Sequence, residues 1–427
     1  MPEVVVIGGG VAGIQAALDL ANHGVDVYLV EKEPSIGGHM AMLDKTFPTN
    51  DCSMCILSPK MMDVFRHPRI HTLTCARVTA VSGSPGDFSV TIRKMPRYID
   101  EEKCNGCGDC IEICPVEVYN RFDAGLGVRK AIYKPHSQAV PDIVVRDTDH
   151  CIECGLCYDV CGRDAIKKED SETEVTVHAS SIIIACGYEV FDATKKDQFR
   201  YLRVPDVITG LEFERMMNAS GPTGGQIRRL STGKTPRSVV FVQCVGSRDT
   251  PLGRSYCSGV CCMYAIKNAI LLKEKYPSID VTILYMDIRA YGKGYEEYYQ
   301  RAVDAGVRFI RGMPGEVTDD RENLLIRVEN TETGEMVDLS PELVVLSTGL
   351  EPARDAGEIA GILGLPREQT GFFRTLDEKT EIVATLRPGI YIAGTAASPR
   401  DIPDCVAQAG AAAMRAFIDA IRDGNPK

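Results

Sequence analysis

The sequence predicts an α/β fold of two Rossmann-like lobes, with a small α+β domain inserted into the first lobe. Three observations predict it. A strand, a glycine-rich turn and a helix follow one another in residues 3–24. A pattern of four cysteines occurs twice in residues 104–161. The hydrophobic segments 182–187 and 343–349 both end in glycine, as expected if an equivalent strand closes each lobe beside its nucleotide site.

The composition is typical of a globular protein. Of the 427 residues, 44% are hydrophobic and 25% are charged, and the net charge of −11 disfavours nucleic acid as a partner. No apolar run approaches the ~18–20 residues of a membrane span, and no signal peptide is readable at the N-terminus. Seventeen cysteines without an export signal predict a cytoplasmic protein in which closely spaced cysteines bind metal.

The N-terminal segment has the pattern of a dinucleotide site. A buried strand is predicted over residues 3–7, and Gly8, Gly10 and Gly13 then form the pattern G-x-G-x-x-G before a helix. Such glycines let the backbone approach a pyrophosphate, which the helix N-terminus stabilises. A second strand ends at Glu31, whose carboxylate can accept hydrogen bonds from an adenosine ribose and disfavours a 2′-phosphate. All these elements together favour a nucleotide site over a chance glycine turn.

Three further segments favour FAD over NAD. Gly38 completes the pattern E-K-x-x-x-x-G-G, as in flavoproteins with two dinucleotide-binding domains. A segment ending at Gly187 resembles the strand that returns the chain to the flavin domain in that superfamily, and residues 389–394 resemble its late strand beside the ribityl chain. That strand usually ends in Gly-Asp, whereas here it ends in Gly394 and Thr395, whose hydroxyl can still donate a hydrogen bond. A helix is predicted to follow over residues 406–417.

The repeated cysteine pattern, C-x2-C-x2-C-x3-C, is the spacing of a ferredoxin with two [4Fe–4S] clusters. The first three cysteines of each run bind one cluster, and the fourth cysteine binds the other. The first predicted ligand set is therefore Cys104, Cys107, Cys110 and Cys161, and the second is Cys151, Cys154, Cys157 and Cys114. Zinc is a poorer interpretation, because its sites use two C-x2-C pairs and not eight cysteines in this order.

A further cysteine group occupies the position where a second glycine-rich motif would hold NAD(P)H. After a predicted strand over residues 236–242 come Cys244, Cys257, Cys261 and Cys262, which predict a third cluster, with the last three opening a helix. The alternative is that these cysteines are buried as small hydrophobic side chains. Lys267 follows about one turn later, either as a cation that tunes the flavin or as a solvated helix lysine.

The remaining cysteines leave several roles open. Cys52 and Cys55 are spaced to be two ligands of a cluster completed by a partner, a redox dithiol beside the flavin, or structural thiols. The single cysteines Cys75, Cys186 and Cys405 lie in apolar surroundings and are predicted to be structural.

Four longer segments resemble the A subunit of heterodisulfide reductase. They are N-D-C-S-M-C-I-L-S-P-K-M at 50–61, V-Q-C-V-G-S-R-D at 242–249, Y-C-S-G-V-C-C-M-Y-A-I-K-N-A at 256–269 and P-R-D-I-P-D-C-V-A-Q-A at 399–409. The resemblance covers nearly the whole chain. It implies a thioredoxin-reductase-like flavin fold with an inserted ferredoxin domain and a FAD able to split electron pairs. It also implies that the third cysteine group binds a [4Fe–4S] cluster near the flavin, and that Lys267 approaches the isoalloxazine. Compared with the methanogen subunit, the sequence predicts a shortened form without the N-terminal extension and the second ferredoxin domain, similar also to the A-type flavoprotein of quinone-interacting membrane-bound oxidoreductase.

These observations predict five segments. They are 1–95, the first part of the FAD-binding domain; 96–170, the ferredoxin insert; 171–195, the return segment; 196–350, the second lobe; and 351–427, the last part of the FAD-binding domain.

The favoured function is electron transfer within a heterodisulfide-reductase-like complex, with other subunits, ferredoxin or similar carriers as partners and any membrane link made by another subunit. By the resemblance, a homodimer is plausible and electron bifurcation is open. The alternatives are a stand-alone NAD(P)H-dependent or disulfide oxidoreductase that uses Cys52 and Cys55, and a non-catalytic cluster carrier.

Overall fold

The computed structural model describes residues 3–320 and 323–423. The strands in this part of the chain are β1 (Glu3–Ile7), β2 (Asp26–Val30), β3 (Lys45–Thr46), β4 (Asp51–Cys52), β5 (Ile70–Leu73), β6 (Ala76–Ser84), β7 (Asp87–Lys94), β8 (Glu117–Tyr119), β9 (Val128–Lys130), β10 (Ile132–Tyr133), β11 (Val145–Arg146), β12 (Thr173–Ala179), β13 (Ser181–Ile184), β14 (Tyr188–Val190), β15 (Val207–Thr209), β16 (Ser238–Val245), β17 (Asp280–Tyr285), β18 (Arg308–Arg311), β19 (Thr318–Asp319), β20 (Leu324–Asn330), β21 (Glu335–Leu339), β22 (Leu343–Thr348), β23 (Leu350–Pro352) and β24 (Ile390–Ile392). The α-helices are α1 (Val11–Asn22), α2 (Ser53–Arg66), α3 (Asp109–Ile113), α4 (Leu156–Val160), α5 (Gly210–Met217), α6 (Cys261–Lys275), α7 (Tyr295–Asp304), α8 (Ala356–Leu363) and α9 (Ile402–Asp423).

The chain divides into two compact units. Of the described residues, the first unit comprises 3–41, 54–188 and 352–423, and the second comprises 42–53 and 189–351. The second unit thus nearly coincides with the predicted second lobe, but it also takes in residues 42–53, which the sequence alone placed in the FAD-binding domain.

The first unit is built on a parallel five-stranded sheet in the order β24-β13-β1-β2-β5. Strand β1 is buried on both faces: Val4 and Val6 pack into one hydrophobic cluster and Val5 and Ile7 into another. Such continuous apolar strands are typical of parallel sheets that are covered on both sides.

Helices cover one face of this sheet, and an antiparallel sheet contributes to the core on the other. On the first face α1 and α9 pack together, and the α9 side of the contact is a row of buried alanines, namely Ala409, Ala412, Ala413, Ala416 and Ala420. On the second face lies the β12-β7-β6 sheet. The small alanine side chains permit close packing of the helices. Helix α9 is longer than the predicted helix over 406–417, because the apolar periodicity continues in both directions.

The ferredoxin insert consists of two similar halves. Helices α3 and α4 each begin after a glycine with positive φ, Gly108 at 94° and Gly155 at 85°. Residues Gly106 and Glu153, at equivalent places in the two cysteine runs, also have positive φ values, 67° and 53°. The two runs therefore adopt the same backbone turn. A small core of Ile99, Cys110, Ile132, Val144 and Ile166 joins the halves.

The long spacer within the insert packs partly against the FAD-binding segment. The backbone N–H of Val140 donates to Ser35 Oγ at 2.9 Å, and the Val140 carbonyl accepts from Ile36 N–H at 3.0 Å. Ala139 and Val140 are consequently buried. This part of the spacer therefore packs against the protein's own FAD-binding segment.

The second unit has its own parallel sheet, in the order β15-β22-β16-β17-β18. One face packs against the β19-β20-β21 sheet through a cluster that includes Val240, Val344 and Ile326. Helices α5 and α6 lie against strands of the same sheet. In this Rossmann-like architecture Cys244, the first member of the third cysteine group, lies near the carboxyl end of β16, where a nucleotide motif would otherwise follow. None of the helices in residues 3–320 and 323–423 combines the length and the apolar character that crossing a bilayer requires.

Candidate functional site

The glycine-rich turn of the first unit is closely packed at two positions and open at a third. A Cβ on Gly13 would lie 1.8 Å from the Gly8 carbonyl oxygen, and a Cβ on Gly8 would lie 2.2 Å from the Ala185 oxygen. A Cβ on Gly10, in contrast, would have no neighbouring atom within 4 Å, and this glycine directly precedes α1. Gly8 and Gly13 therefore let β1, α1 and β13 approach each other, while Gly10 leaves space over the helix N-terminus, where a pyrophosphate would fit.

Glu31 lies at the end of β2 with its carboxylate buried beside this turn. Gly9 N–H donates to Glu31 Oε2 at 2.6 Å, and Glu33 N–H donates to Oε1 at 2.8 Å. Burial raises the pKa of Glu31 to about 7, although both N–H donors act in the opposite direction. The carboxylate is thus fixed in position by backbone donors, and its remaining lone pairs suit the hydroxyl groups of a ribose.

The other predicted flavin-site residues are also in the first unit, and several contact the same turn. A Cβ on Gly38 would lie 3.0 Å from Gly10 Cα, and one on Gly394 would lie 2.8 Å from the Ala12 side chain. Thr395 is buried next to Gly394. Gly187 follows β13 with a φ of 78° and open space around it. The structure thus gathers segments from residues 8–13, 31, 38 and 394–395 around a single turn, as a FAD site requires.

Replacing Gly10 with alanine is expected to abolish FAD binding without unfolding the protein. Gly10 has a φ of −77°, which alanine adopts readily, and the added methyl group would meet no protein atom within 4 Å. The methyl group would instead occupy the space that a pyrophosphate needs. Flavin content after purification and circular dichroism test this together.

The control is Gly361→Ala in α8, where a Cβ is equally unobstructed but no flavin contact is predicted. This variant should keep its flavin and gain slightly in helix stability, by about 1 kcal/mol at most. A G10A protein with normal flavin content would show that the pyrophosphate is bound elsewhere.

The structure brings together the first predicted cluster set of the insert. Burial raises the pKa of the Cys110 thiol to about 12, with further contributions from nearby Cys104, Cys107 and Cys161. Cys161 belongs to the other cysteine run, so the fourth thiol near Cys110 comes from the opposite run, as the predicted ligand exchange requires. All four thiols are free.

The second set lines a small cavity in the same insert. Its wall includes the thiol-bearing residues Cys114, Cys151, Cys154 and Cys157. Here too the fourth cysteine comes from the opposite run. The cavity also contains Arg146, whose role the sequence did not reveal, because nothing in the spacing of the cysteines points to it.

The third cysteine group lies in the second unit. Burial raises the pKa of Cys261 well above its usual value, and the neighbouring thiols of Cys244, Cys262 and Cys257 raise it further. All four predicted ligands are therefore close to one another. The prediction that Cys257 lies on the helix is wrong, however: Gly259 has a φ of 71°, and α6 begins only at Cys261. Cys257 reaches the group from the preceding loop.

Two local features position this group. Cys244 has a φ of 58° and lies in a bulge of β16, where the pairing with β22 shifts between Val242 and Val245. A bulge of this kind re-aims a side chain at a functional site. In the loop, Ser258 Oγ donates to Ser247 Oγ at 3.1 Å. Burial raises the pKa of the Cys244 thiol to about 12, and Arg248, which no sequence pattern indicated, lowers this pKa by a smaller amount.

Lys267 lies on α6, as predicted, but it is buried, and its interpretation as a solvated lysine is wrong. Its exposed fraction is 1%, and its ammonium group forms an ion pair with Glu214, which is also buried. The same group donates to the Lys45 carbonyl at 2.9 Å. The Asp44 N–H donates to Glu214 at 3.1 Å. Within the second unit, Lys267 therefore fastens residues 42–53 to α5 and α6.

The remaining cysteines fall into two kinds. Cys52 and Cys55 are disulfide-bonded. Cys75 and Cys405 are buried and Cys186 is half-buried, all as free thiols.

Single-ion coordination is not part of the described structure. Residues 3–320 and 323–423 contain no group of three or more His, Cys, Asp or Glu side chains that could hold a metal ion. In a [4Fe–4S] cluster, by contrast, each of four thiolates binds a different iron atom. The three cysteine groups suit this arrangement in the number and type of their ligands.

Two protein families match parts of the chain. Residues 3–53 match the FAD-dependent oxidoreductases, and residues 103–166 match the 4Fe-4S dicluster domain. These matches confirm the predicted cofactor types, FAD and [4Fe–4S] clusters.

Curated relatives align with nearly the whole chain. The iron–sulfur A subunit of the CoB–CoM heterodisulfide reductase of Methanocaldococcus jannaschii is 55% identical over 97% of this chain and 63% of the relative. The A subunit of the H2:CoB–CoM heterodisulfide, ferredoxin reductase of Methanothermobacter marburgensis is 51% identical over 98% of this chain and 64% of the relative. The chain thus spans less than two thirds of the length of these relatives.

Among solved structures, thioredoxin reductases have a similar fold. The T. acidophilum enzyme superposes with a TM-score of 0.52 at 14% identity, covering 99% of this chain and all of that one. The Lactococcus lactis enzyme gives the same TM-score at 16% identity, with the same coverage. These likenesses confirm the predicted fold class.

Proposed function

We propose that this chain, an iron–sulfur flavoprotein like the A subunit of heterodisulfide reductase, is an electron-transfer subunit of a heterodisulfide-reductase-like complex. The single observation that carries the proposal is the geometry of the ferredoxin insert. Its eight cysteines form two groups of four, each completed by a cysteine from the opposite run. An enzyme that only moved hydride between a flavin and a small substrate would not need such an insert.

In this proposal the residues of the chain hold the cofactors and set their surroundings. FAD supplies two-electron chemistry, and the [4Fe–4S] clusters transfer electrons one at a time. Gly8, Gly10 and Gly13 shape the pyrophosphate site, and the Glu31 carboxylate accepts hydrogen bonds from the ribose hydroxyl groups. The group formed by Cys244, Cys257, Cys261 and Cys262 is proposed to hold a third cluster in place of NAD(P)H.

Partners and location are likewise proposed. One relative, from Methanosarcina acetivorans, is named as the A subunit of a ferredoxin/F420H2-dependent CoB–CoM heterodisulfide reductase. We infer that other subunits of such a complex and a ferredoxin-type carrier exchange electrons with this chain. The fifteen free cysteines suit a reducing compartment, so a cytoplasmic location is proposed. Electron bifurcation and a homodimer are hypotheses that rest on the family alone.

The Cys52–Cys55 region supports a second candidate function, that of a disulfide oxidoreductase. Both cysteines are disulfide-bonded in the structure. In this candidate, two electrons and two protons from reduced FAD would convert the disulfide into two thiols, which would then reduce a disulfide substrate. Because a second glycine-rich motif for NAD(P)H is lacking, the electron donor to the flavin in this candidate would be a protein carrier.

The test is the content of iron, acid-labile sulfide and flavin per chain after anaerobic purification, followed by stepwise reduction monitored by EPR. About twelve iron atoms and one FAD are expected, because each cluster contains four iron atoms. About eight iron atoms would confine clusters to the insert, and a protein without flavin would contradict the proposal.

In a Cys52→Ala variant the number of electrons taken up should not change; a loss of two would favour the second candidate.

A further inference from the structure

Arg146 gives the two cluster sets of the insert different electrostatic surroundings. Its side chain lines the cavity that contains Cys114, Cys151, Cys154 and Cys157, and only 6% of its surface is exposed. It lies on β11, which pairs with β10 inside the insert. A cation in this position acts on one predicted cluster from within the protein and is poorly screened by solvent.

The surroundings of Arg146 hold the guanidinium in place without neutralising it. Nη1 donates to the hydroxyl group of Tyr158, and the guanidinium carbon lies 4.2 Å from the centre of the Tyr98 ring. In the described part of the chain no carboxylate forms an ion pair with Arg146, and its buried Nε has no hydrogen-bond partner. An uncompensated buried cation is costly, so the site calls for an anion.

A thiolate-bound cluster is such an anion. A [4Fe–4S] core with four thiolates has a charge of about −2 when oxidised and about −3 when reduced. Arg146 would therefore stabilise the reduced form more than the oxidised form. Its free Nε–H adds a donor that suits a sulfur atom, and such hydrogen bonds also raise cluster potentials.

The cations close to the first set are arranged differently. Lys134 Nζ donates to the Gly106 carbonyl at 3.2 Å, but it is paired with Asp142 at 2.8 Å. Lys103, beside Cys104, is half-exposed and lies within 4.0 Å of both Asp100 and Asp164. Each of these positive charges has a carboxylate partner, and so adds little net field at the first set.

We propose that Arg146 raises the reduction potential of the cluster held by Cys114, Cys151, Cys154 and Cys157 above that of its partner cluster, so that an electron entering the insert settles on the second set. The inference rests on the proposed function, since it requires both clusters. Arg146 is a tuning residue: it takes no direct part in electron transfer, but it determines which of the two clusters has the higher reduction potential and therefore holds the electron.

The experiment isolates each cluster in turn. Cys107→Ala removes a ligand of the first set and leaves the second cluster, whereas Cys154→Ala leaves the first. Arg146→Gln is placed in both backgrounds, and each remaining cluster is titrated by EPR-monitored potentiometry. In the C107A background R146Q should lower the potential by at least about 59 mV, which is a tenfold change for one electron. In the C154A background the potential should not change.

Two controls separate charge from structure. Arg146→Lys keeps the charge and should retain most of the potential at neutral pH. Lys134→Gln, which removes a paired cation beside the first set, should leave both potentials unchanged. An R146Q protein with unaltered potentials, an equal shift in both backgrounds, or a shift in R146K as large as in R146Q would each overturn the inference.

The iron content distinguishes this inference from the proposed function. If the parent protein lacks the eight irons of the insert, the proposed function fails and Arg146 has no cluster to tune. If R146Q alone loses iron, R146K provides the decisive measurement. Its potential must fall as pH rises through the pKa of the introduced lysine, while the potential of the parent protein must not; a pH-independent R146K potential refutes the inference.

Discussion

Replacing Cys114 with alanine is expected to remove the same cluster as replacing Cys154, although Cys114 belongs to the other cysteine run. Each single variant should lose about four iron atoms per chain, because each iron of the cubane is held by one thiolate and a cluster with a missing ligand is expected to be lost. The reason lies in the cavity that Cys114 shares with the three cysteines of the second run. Iron analysis of the anaerobically loaded variants measures the effect.

Double variants turn this expectation into a strict test. C114A/C154A should retain as much iron as either single variant, because both changes affect one cluster. C114A/C107A should lose about eight iron atoms, because the two changes affect different clusters. The reverse result, with C114A and C107A equivalent to each other, would mean that each run binds its own cluster and that the fourth ligand is not exchanged.

Replacing Lys267 with methionine is expected to destabilise the second unit by about 3–5 kcal/mol, because it leaves the buried Glu214 carboxylate without its cation. The ammonium and carboxylate side chains are only 1% and 4% exposed. The loss should therefore greatly exceed that of a surface pair, and it should also loosen residues 42–53, whose Lys45 carbonyl accepts from Lys267. Urea denaturation of the loaded protein measures the change.

A second change at Glu214 separates the structural role of Lys267 from its predicted role beside the flavin. K267M/E214Q should recover most of the lost stability, since no unpaired charge then remains. A flavin potential that stays altered in this double variant would support a direct effect of Lys267 on the flavin, while a normal potential would assign it to the ion pair alone. Arg327→Gln, which breaks an exposed pair with Asp338, should barely change stability. An equally small effect of K267M would contradict the expectation.

Local sequence patterns predicted the elements whose structure depends on local physics. The strand over residues 3–7 has the predicted bounds, because its continuous apolar run and the glycine turn that follows determine them. The fixed cysteine spacing of the ferredoxin insert led to the same two groups of four that the structure brings together. In both cases the relevant neighbours are near in sequence or follow a strict pattern.

Features that depend on distant contacts were not predictable in this way. The ion pair of Lys267 with Glu214 joins two helices, and no periodicity connects the two residues. The loop position of Cys257 follows from a positive φ at Gly259, which a helical reading of the cysteine spacing overlooks. Arg146 could not be singled out from the sequence, because its importance comes from its burial beside the cavity, and strand β11, on which it lies, contributes no cysteine to that cavity.

The exchanged fourth ligands have a consequence for how the insert folds. Each cluster would act as a cross-link between the two halves, closing a chain loop of roughly 50 residues, and in the chain-entropy description used for disulfides such a closure removes about 4 kcal/mol of freedom from the unfolded state. Because ligand binding and folding are then one process, an insert without iron has only a small hydrophobic core to hold its halves together. Losing one cluster to oxygen would therefore remove one of the two cross-links and leave the other to join the halves, so that the insert becomes less stable with each cluster it loses.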